Sequence, residues 1–189
     1  MKIILLMGLT ASGKTTVGKL LAKSLCCNFI DLDEEIVKKV SMSVRSFYER
    51  KGKKAFQEIE EKVLKLCLEN LDSTKNVFVI STGGGIIENT NAIFTLRENP
   101  NIQIFFLHNK PKILFNRLLE KAKREHSFPA FLKLQASKDF YSQIKYAKMK
   151  FLLTCKKRLK LLETIECIKV KSKGLNDKKL TRMIKNIST

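Results

Sequence analysis

The stretch 2-KIILLMGLTASGKTTVGKLLAKS-24 decides the fold of this chain. Residues 2–7 form a short, mostly apolar run, which is typical of a buried β-strand. Residues 8–15, GLTASGKT, then match the pattern G-x-x-x-x-G-K-[ST] at every fixed position. Apolar residues of the segment 17–25 recur at helical spacing. The motif therefore stands between a strand and a helix, which is the context that a phosphate-binding loop requires.

The residue types in this loop suit a polyphosphate, which needs many hydrogen-bond donors in a small volume. Glycines at positions 8 and 13 let the backbone turn its N–H groups inward, and the following helix adds its positive end. Lys14 is expected to reach the β- and γ-phosphates of ATP, and the Thr15 hydroxyl to ligate Mg²⁺. The alternative is a chance match in a glycine-containing turn. The residues predicted to contact the nucleotide here are Gly8, Ala11, Ser12, Gly13, Lys14, Thr15 and Thr16.

Length and composition predict one globular domain, residues 1–189, with 44% hydrophobic residues. No apolar run approaches 18 residues, so a membrane span is not expected. The apolar N-terminal run is too short for a signal peptide, and it leads straight into the loop. The five cysteines form no C-x-x-C pair, which favours reduced thiols in the cytoplasm.

The chain is strongly basic, with a net charge of +19 and a pI near 9.8. One interpretation is nucleic-acid binding. The lysines are spread over nearly every predicted helix, however, and no basic run is interleaved with aromatic residues. A lysine-rich composition is the better explanation, and nucleic acid is not expected as a partner. A basic surface still favours anionic ligands, including ATP.

Two carboxylates follow the second predicted strand, residues 28–30. In an extended segment Asp31 and Asp33 point to the same side, which places both near the γ-phosphate at the carboxyl end of the strand. One is expected to support the Mg²⁺ site, and the other to orient an attacking hydroxyl. The alternative is a helix N-cap followed by an acidic first turn.

The middle of the chain predicts helices over residues 34–71, broken at Gly52. The acidic cluster at 58–61 is interpreted as solvated helix face, with Glu60 a candidate for a supporting role in the site. A third strand at 77–80 ends in STGGG. The backbone of Gly83, Gly84 and Gly85 suits the oxygens of a substrate; the alternative is a flexible connection.

The remaining pattern predicts strands at 102–107 and 164–170, and helices from 113, over 141–153 and over 177–187. Together the elements predict an α/β fold: a three-layer α/β/α sandwich with a five-stranded parallel sheet.

Two charged segments lie between these elements. Residues 121–135 mix charged and aromatic residues with a proline, which is typical of a mobile lid. Residues 156–158, KKR, are interpreted as a solvated helix face.

Four motifs together resemble the shikimate kinase family: the loop GLTASGKT, the segment FIDLDEEI, the Gly52…Phe56…Glu60 spacing and the turn ISTGGG. They occur in that family's order over about residues 2–120. The resemblance implies a P-loop kinase fold and transfer of the ATP γ-phosphate to the 3-hydroxyl of shikimate, a step of aromatic amino acid biosynthesis. It also implies ATP and Mg²⁺ as cofactors. We expect a monomer in the cytoplasm.

The resemblance also assigns roles to residues. Lys14 would contact the phosphates, and Thr15 and Asp31 would serve the metal. Asp33 would engage the acceptor hydroxyl, and Gly83, Gly84 and Gly85 would contact shikimate. Arg117 would lie against adenine, and Arg124 would be the lid arginine that stabilises the transferring group.

Three places depart from the family pattern. In the lid, the family reads Arg-Pro-Leu-Leu, whereas Arg124 is followed here by Glu125-His-Ser and the proline comes later, at Pro129. Gln57 stands where an arginine is expected to pair with the substrate carboxylate, and amide groups offer neither charge nor a bidentate fork. Lys145 stands near the place of a further substrate arginine, where it would act as a point charge. The alternatives are therefore a kinase for another small polyol or a nucleotide, or a nucleotide-binding protein without catalysis.

Overall fold

Five parallel strands form one sheet in the computed structural model, which describes residues 1–72, 74–125, 132, 140–171 and 177–188. The strands are β1 (Lys2–Met7), β2 (Asn28–Asp31), β3 (Val77–Ser81), β4 (Ile102–His108) and β5 (Ile168–Lys171). Their order in the sheet is β2-β3-β1-β4-β5. The chain passes from β1 to one side and later crosses to the other, so the carboxyl end of β1 lies at the switch point where α/β proteins bind ligands.

Helices cover both faces of this sheet. They are α1 (Lys14–Leu25), α2 (Leu32–Val40), α3 (Val44–Glu69), α4 (Thr90–Arg97), α5 (Pro111–Glu125), α6 (Phe140–Leu162) and α7 (Asp177–Ser188). A short 3-10 turn, Ile86–Glu88, precedes α4. None of the helices among the described residues combines the length and the hydropathy that a membrane span requires.

Alternate residues of β1 enter two separate cores, because successive strand residues point to opposite faces. Ile4 and Leu6 pack with Val17 and Leu21 of α1 and with Ile184 of α7. Ile3, Leu5 and Met7 belong to the larger core, which contains residues of α2 to α6. The predicted three-layer sandwich is therefore confirmed, with α1 and α7 on one face and the other helices opposite.

The boundaries of several elements differ from the sequence prediction. The long helical region is interrupted after Val40, and α3 is kinked at Gly52, whose φ of 80° and ψ of 180° suit glycine alone. Helix α4 was not predicted, because its eight residues give a weak periodic signal. The fifth strand starts later than predicted, because Thr164 and Ile165 form a turn that closes α6.

The predicted lid falls mostly outside the described residues. Within 121–135, residues 121–125 end α5, and Leu132 is buried in the larger core. The interpretation of this segment as a lid stays a prediction.

Candidate active site

The loop after β1 closes tightly. A Cβ on Gly8 would lie 2.6 Å from Ser12 Oγ and 3.1 Å from the carbonyl oxygen of Leu107, so a side chain does not fit there. Ala11 and Gly13 have positive φ values of 66° and 93°. A left-handed alanine is uncommon and marks a strained turn, as often occurs at functional sites. The turn leads directly into α1, so the positive end of this helix adjoins the loop.

Lys14 is the buried cation of this loop. Its ammonium group donates hydrogen bonds to the carbonyl oxygens of Gly8, at 3.0 Å, and Leu9, at 3.3 Å. Burial lowers the pKa of Lys14 to about 8, and the nearby carboxylates of Asp33 and Asp31 act in the opposite direction. A phosphate group is a suitable ligand for such a desolvated cation.

Asp31 ends β2 and accepts hydrogen bonds from three neighbours. Thr15 Oγ1 and Ser81 Oγ donate to Oδ2 over 2.7 and 2.8 Å, and the Asp33 N–H donates to Oδ1 over 3.0 Å. The last bond is the N-cap of α2. The expected extended segment through Asp31 and Asp33 is therefore wrong, because Asp31 caps the helix whose first turn contains Asp33. The same carboxylate nevertheless contacts the phosphate loop through Thr15.

Asp33 lines a cleft that opens beside the loop. Burial raises the pKa of its carboxyl group, and the charge of Lys14 opposes this shift. A Cβ on Gly83 would lie 2.8 Å from Asp33 Oδ1, so the carboxylate rests against the Gly83 backbone. Lys14 and Asp33, which are both predicted site residues, thus lie near each other at the carboxyl end of the sheet.

The cleft has a volume of about 490 Å³ and joins the phosphate loop to α2, α3, α5, α6 and the glycine turn. Thr10 and Ala11 border it on the side of the loop. The predicted acceptor residues Asp33, Gln57 and 83–85 all line it. One cavity therefore adjoins both the residues predicted to bind the phosphates and those predicted to bind the acceptor.

The glycine turn is also required for close packing. A Cβ on Gly84 would lie 2.7 Å from the backbone nitrogen of Thr10, and one on Gly85 would lie 3.2 Å from Arg158 Nη2. Gly85 also accepts a backbone hydrogen bond from Glu88, at 2.9 Å. The alternative of a merely flexible connection is wrong for this turn, and its contact with a substrate stays a prediction.

Three predicted cations lie outside the cleft wall. Arg117 and Arg124 are exposed on α5, and Lys145 is exposed on α6; the residues that line the cleft include none of them. The roles of Arg117 toward adenine and of Arg124 toward the transferring group stay predictions. The prediction that Lys145 contacts the substrate is corrected. This lysine lies off the buried face of its helix, so it is not the cation that α6 contributes to the cleft. Thr16 is likewise exposed, in the first turn of α1.

Arg158 is the cation that α6 brings into the cleft, so its interpretation as part of a solvated face is wrong. It is 8% exposed, and its Nε donates a hydrogen bond to Glu88 Oε1 over 2.8 Å. A signal for this placement exists in the sequence. Buried residues of α6 recur at helical spacing and put Arg158 on the same face; they are Ala147, Phe151, Cys155, Arg158 and Leu162.

Glu60 is a buried acid in the same cleft, with 1% of its surface exposed. Its Oε2 accepts a hydrogen bond from Asn89 Nδ2 over 2.9 Å, whereas its Oε1 has no partner among the described residues. Burial raises the pKa of Glu60 to about 7, and the bond from Asn89 acts in the opposite direction. Glu60 is therefore part of the site rather than of a solvated helix face.

Comparison with known proteins identifies the family. A profile described as shikimate kinase matches residues 10–187. The chain belongs to the shikimate kinase family.

Two relatives illustrate the range of similarity within the shikimate kinase family. The shikimate kinase of Caldicellulosiruptor bescii is 42% identical over 118 residues, which cover 62% of this chain and 64% of the relative. The chain thus spans just under two thirds of the length of that curated relative. The shikimate kinase of Macrococcus caseolyticus is 35% identical over 136 residues, which cover 72% of this chain and 75% of the relative.

Solved shikimate kinases share the fold over almost the whole chain. The enzyme of Aquifex aeolicus matches with a TM-score of 0.67 and 28% identity, covering 97% of this chain and 94% of that one. The enzyme of Acinetobacter baumannii, solved in complex with shikimate, matches with a TM-score of 0.77 and 22% identity. That match covers 99% of this chain and 93% of the solved one, and it shows that the two chains have the same fold.

The residues at the phosphate loop fit a nucleotide and Mg²⁺, as the shikimate kinase family implies. The buried Ser12 hydroxyl has no hydrogen-bond partner within the described ranges, and phosphate oxygens would supply one. Thr15 and Asp31 offer the oxygen ligands that Mg²⁺ prefers. In the described part of the chain, no group of three or more Asp, Glu, His or Cys side chains is arranged so that it could hold a metal ion by itself.

Proposed function

We propose that this protein is a shikimate kinase, which transfers the γ-phosphoryl group of ATP to the 3-hydroxyl of shikimate. The family match supports the class of reaction. The observation that carries the proposal is the position of Asp33, which lines the acceptor cleft and lies within electrostatic range of Lys14. A hydroxyl bound beside Asp33 would thus lie next to the group that holds the phosphates.

ATP supplies the phosphoryl group, and Mg²⁺ neutralises part of its charge when both are bound. Lys14 exchanges its carbonyl partners Gly8 and Leu9 for phosphate oxygens, so that its cation meets a negative ligand. Thr15 Oγ1 donates a hydrogen bond to Asp31 Oδ2, which would leave the lone pairs of the hydroxyl for the metal. These three residues position the phosphates and contribute electrostatic stabilisation rather than covalent chemistry.

Asp33 orients the acceptor hydroxyl and accepts its proton. The Asp33 carboxylate is partly buried near Lys14 and rests against the Gly83 backbone, so its movement is limited. Arg124, near the end of α5, is proposed to stabilise the transferring group. Arg117 is proposed to lie against the adenine ring.

The acceptor would be held by the walls of the cleft. We assign Gln57, Arg158 and residues 83–85 to this part of the site, since all of them line the cavity. Arg158 takes the place that the sequence had suggested for Lys145. The cleft volume of about 490 Å³ is of the size of sites for small molecules.

A kinase for a different, uncharged polyol is the second candidate. It is favoured by the neutral side chain of Gln57, whose Nε2 donates to the carbonyl oxygen of Glu88 over 2.7 Å. This amide is therefore already bonded to the protein. Such a kinase would use the same phosphate loop and Asp33 with an acceptor that has no carboxylate.

The test is identification of the product. The protein is incubated with ATP, Mg²⁺ and either shikimate or a panel of neutral polyols, and the phosphorylated product is assigned by ³¹P NMR. The proposal predicts one shikimate 3-phosphate for each ADP released. Phosphorylation of a neutral polyol with no response to shikimate would establish the second candidate instead.

We further propose a monomer that acts in the cytoplasm. All five cysteines are free thiols and three of them are partly buried, which suits a reducing compartment. Size-exclusion chromatography with light scattering tests the oligomeric state.

A further inference from the structure

Glu88 stands in the acceptor cleft with its carboxylate bound to three cations. Its Oε1 accepts from Arg158 Nε over 2.8 Å, and its Oε2 pairs with Lys53 and, at 3.6 Å, with Lys157. The side chains of Glu88 and Arg158 are each only 10% exposed. This cluster joins the 3-10 turn to α3 and α6 at the cleft wall.

The carboxylate of Glu88 is charged at neutral pH. Burial acts to raise the pKa of Glu88, but the hydrogen bonds and charges of Lys53 and Arg158 outweigh it and lower the pKa to about 2. A permanent negative charge therefore lies within the cavity where an acceptor is expected.

Arg158 is the best-desolvated cation among the described residues of the cleft wall. Arg45 and Lys121 line the cleft but are exposed, and Arg45 also pairs with Glu49 at 2.9 Å. The side chain of Lys53 is 47% exposed. Water weakens ionic contacts at exposed groups, so a carboxylate on a ligand would gain most from Arg158.

We propose that Glu88 is a specificity-determining residue, which competes with the carboxylate of an anionic acceptor for Arg158. The inference rests on the proposed function, because it concerns the acceptor site of that reaction. An anionic acceptor must share or displace the Glu88 contact, whereas an uncharged acceptor need not. Glu88 therefore weakens the binding of carboxylates relative to neutral molecules of the same shape.

The sharpest test compares two ligands that differ only in this charge. Shikimate and its methyl ester are titrated calorimetrically into the wild-type protein and into Glu88→Gln, in the presence of ADP and Mg²⁺. Glu88→Gln is expected to lower the Kd of shikimate roughly tenfold or more. Tenfold corresponds to the smallest free energy that is typical of a charge-assisted hydrogen bond. The Kd of the ester should change less than about twofold, because no anion competes there.

Glu98→Gln is the matched control. Glu98 is exposed at the end of α4, outside the residues that line the cleft, and its substitution removes the same charge from the protein. Glu98→Gln should leave both Kd values within about twofold of wild type. This control separates the effect of a higher net positive charge from the local effect of removing the Glu88 carboxylate.

An unchanged or higher Kd of shikimate in Glu88→Gln would overturn the inference, because Glu88 would then only hold Arg158 in place. If Glu88→Gln does not fold, Glu88→Asp withdraws the carboxylate from Arg158 while keeping its charge. An intermediate fall in the Kd of shikimate then supports the inference, and no fall contradicts it. Turnover of shikimate by the wild type is measured separately: its absence refutes the proposed function, whereas turnover without tighter binding in the variants refutes only the role of Glu88.

Discussion

Thr15 Oγ1 donates a hydrogen bond to Asp31 Oδ2 over 2.7 Å, which joins the first turn of α1 to the end of β2. Ser81 Oγ, from the adjacent strand β3, donates to the same oxygen over 2.8 Å. Three elements that are distant in sequence therefore meet at one carboxylate. Asp31 orients the Thr15 hydroxyl at the place where a metal-bound nucleotide is proposed to lie.

Thr15→Val should remove the hydroxyl proposed to ligate Mg²⁺ while keeping the shape of the side chain. We expect Mg²⁺-dependent ATP affinity to fall roughly tenfold or more, since a polar ligand to a charged group is lost. Affinity is measured by titration calorimetry with and without Mg²⁺. Thr95→Val, on α4 and away from the cleft, is the control. Equal Mg²⁺ dependence in Thr15→Val and wild type would contradict the assignment of Thr15.

Lys14→Met should separate stability from function. The native fold holds a buried ammonium group whose pKa is lowered to about 8 by desolvation. Replacing it with an apolar side chain removes that unfavourable burial, so we expect an equal or higher Tm. ATP affinity should fall roughly tenfold or more, because a charge-assisted contact with phosphate is lost.

Lys19→Met is the matched control for that change. Lys19 lies on the same helix, but its side chain is 58% exposed and pairs with Glu34 at 3.4 Å. Differential scanning fluorimetry and ATP titration should leave this control close to wild type. A Lys14→Met protein that binds ATP normally would remove Lys14 from the phosphate site.

Glu60→Gln should change how stability depends on pH. The pKa of Glu60 is raised from 4.5 to about 7 in the folded protein, so between these values the native state keeps a proton that the unfolded state loses. The protonated Glu60 therefore contributes to the free energy of unfolding below pH 4.5, and this contribution is lost as the pH rises to about 7. The full effect is about 3 kcal/mol in the free energy of unfolding.

Urea denaturation at pH 5 and pH 8 measures this difference. Wild type should lose more stability than Glu60→Gln over that interval, whereas Glu58→Gln, exposed on the same helix, should follow wild type. Parallel pH profiles for wild type and Glu60→Gln would contradict the raised pKa.

The phosphate loop could be predicted from sequence because its signal is local. About twenty consecutive residues contain all of it: the apolar run, the spacing of Gly8, Gly13 and Lys14, and the helix that follows. A phosphate-binding loop requires these three features in this order. The three-layer fold follows from the alternation of strands and helices, and the sheet confirms it.

The acceptor side could be predicted only in part, because it depends on contacts between distant segments. Arg158 and Glu88 are separated by 70 positions in the chain, and no local pattern pairs them. Arg158 stands in a KKR run that also suits a solvated face, and only the helical phase of the buried residues of α6 identifies it as inward-facing. The conformation around Asp31 differs from the expected extended segment because one carboxylate both caps α2 and contacts Thr15.

Asp33 tests the central claim most directly, since the proposed reaction requires its carboxylate in the cleft beside Lys14. The measurement is the rate of shikimate 3-phosphate formation at saturating ATP and shikimate, for wild type and for Asp33→Asn. We predict that Asp33→Asn lowers kcat by at least about 100-fold, because the variant loses the proton acceptor. The Kd of ATP should be nearly unchanged, because the variant keeps the shape of the side chain. A kcat in Asp33→Asn equal to that of wild type would contradict the account.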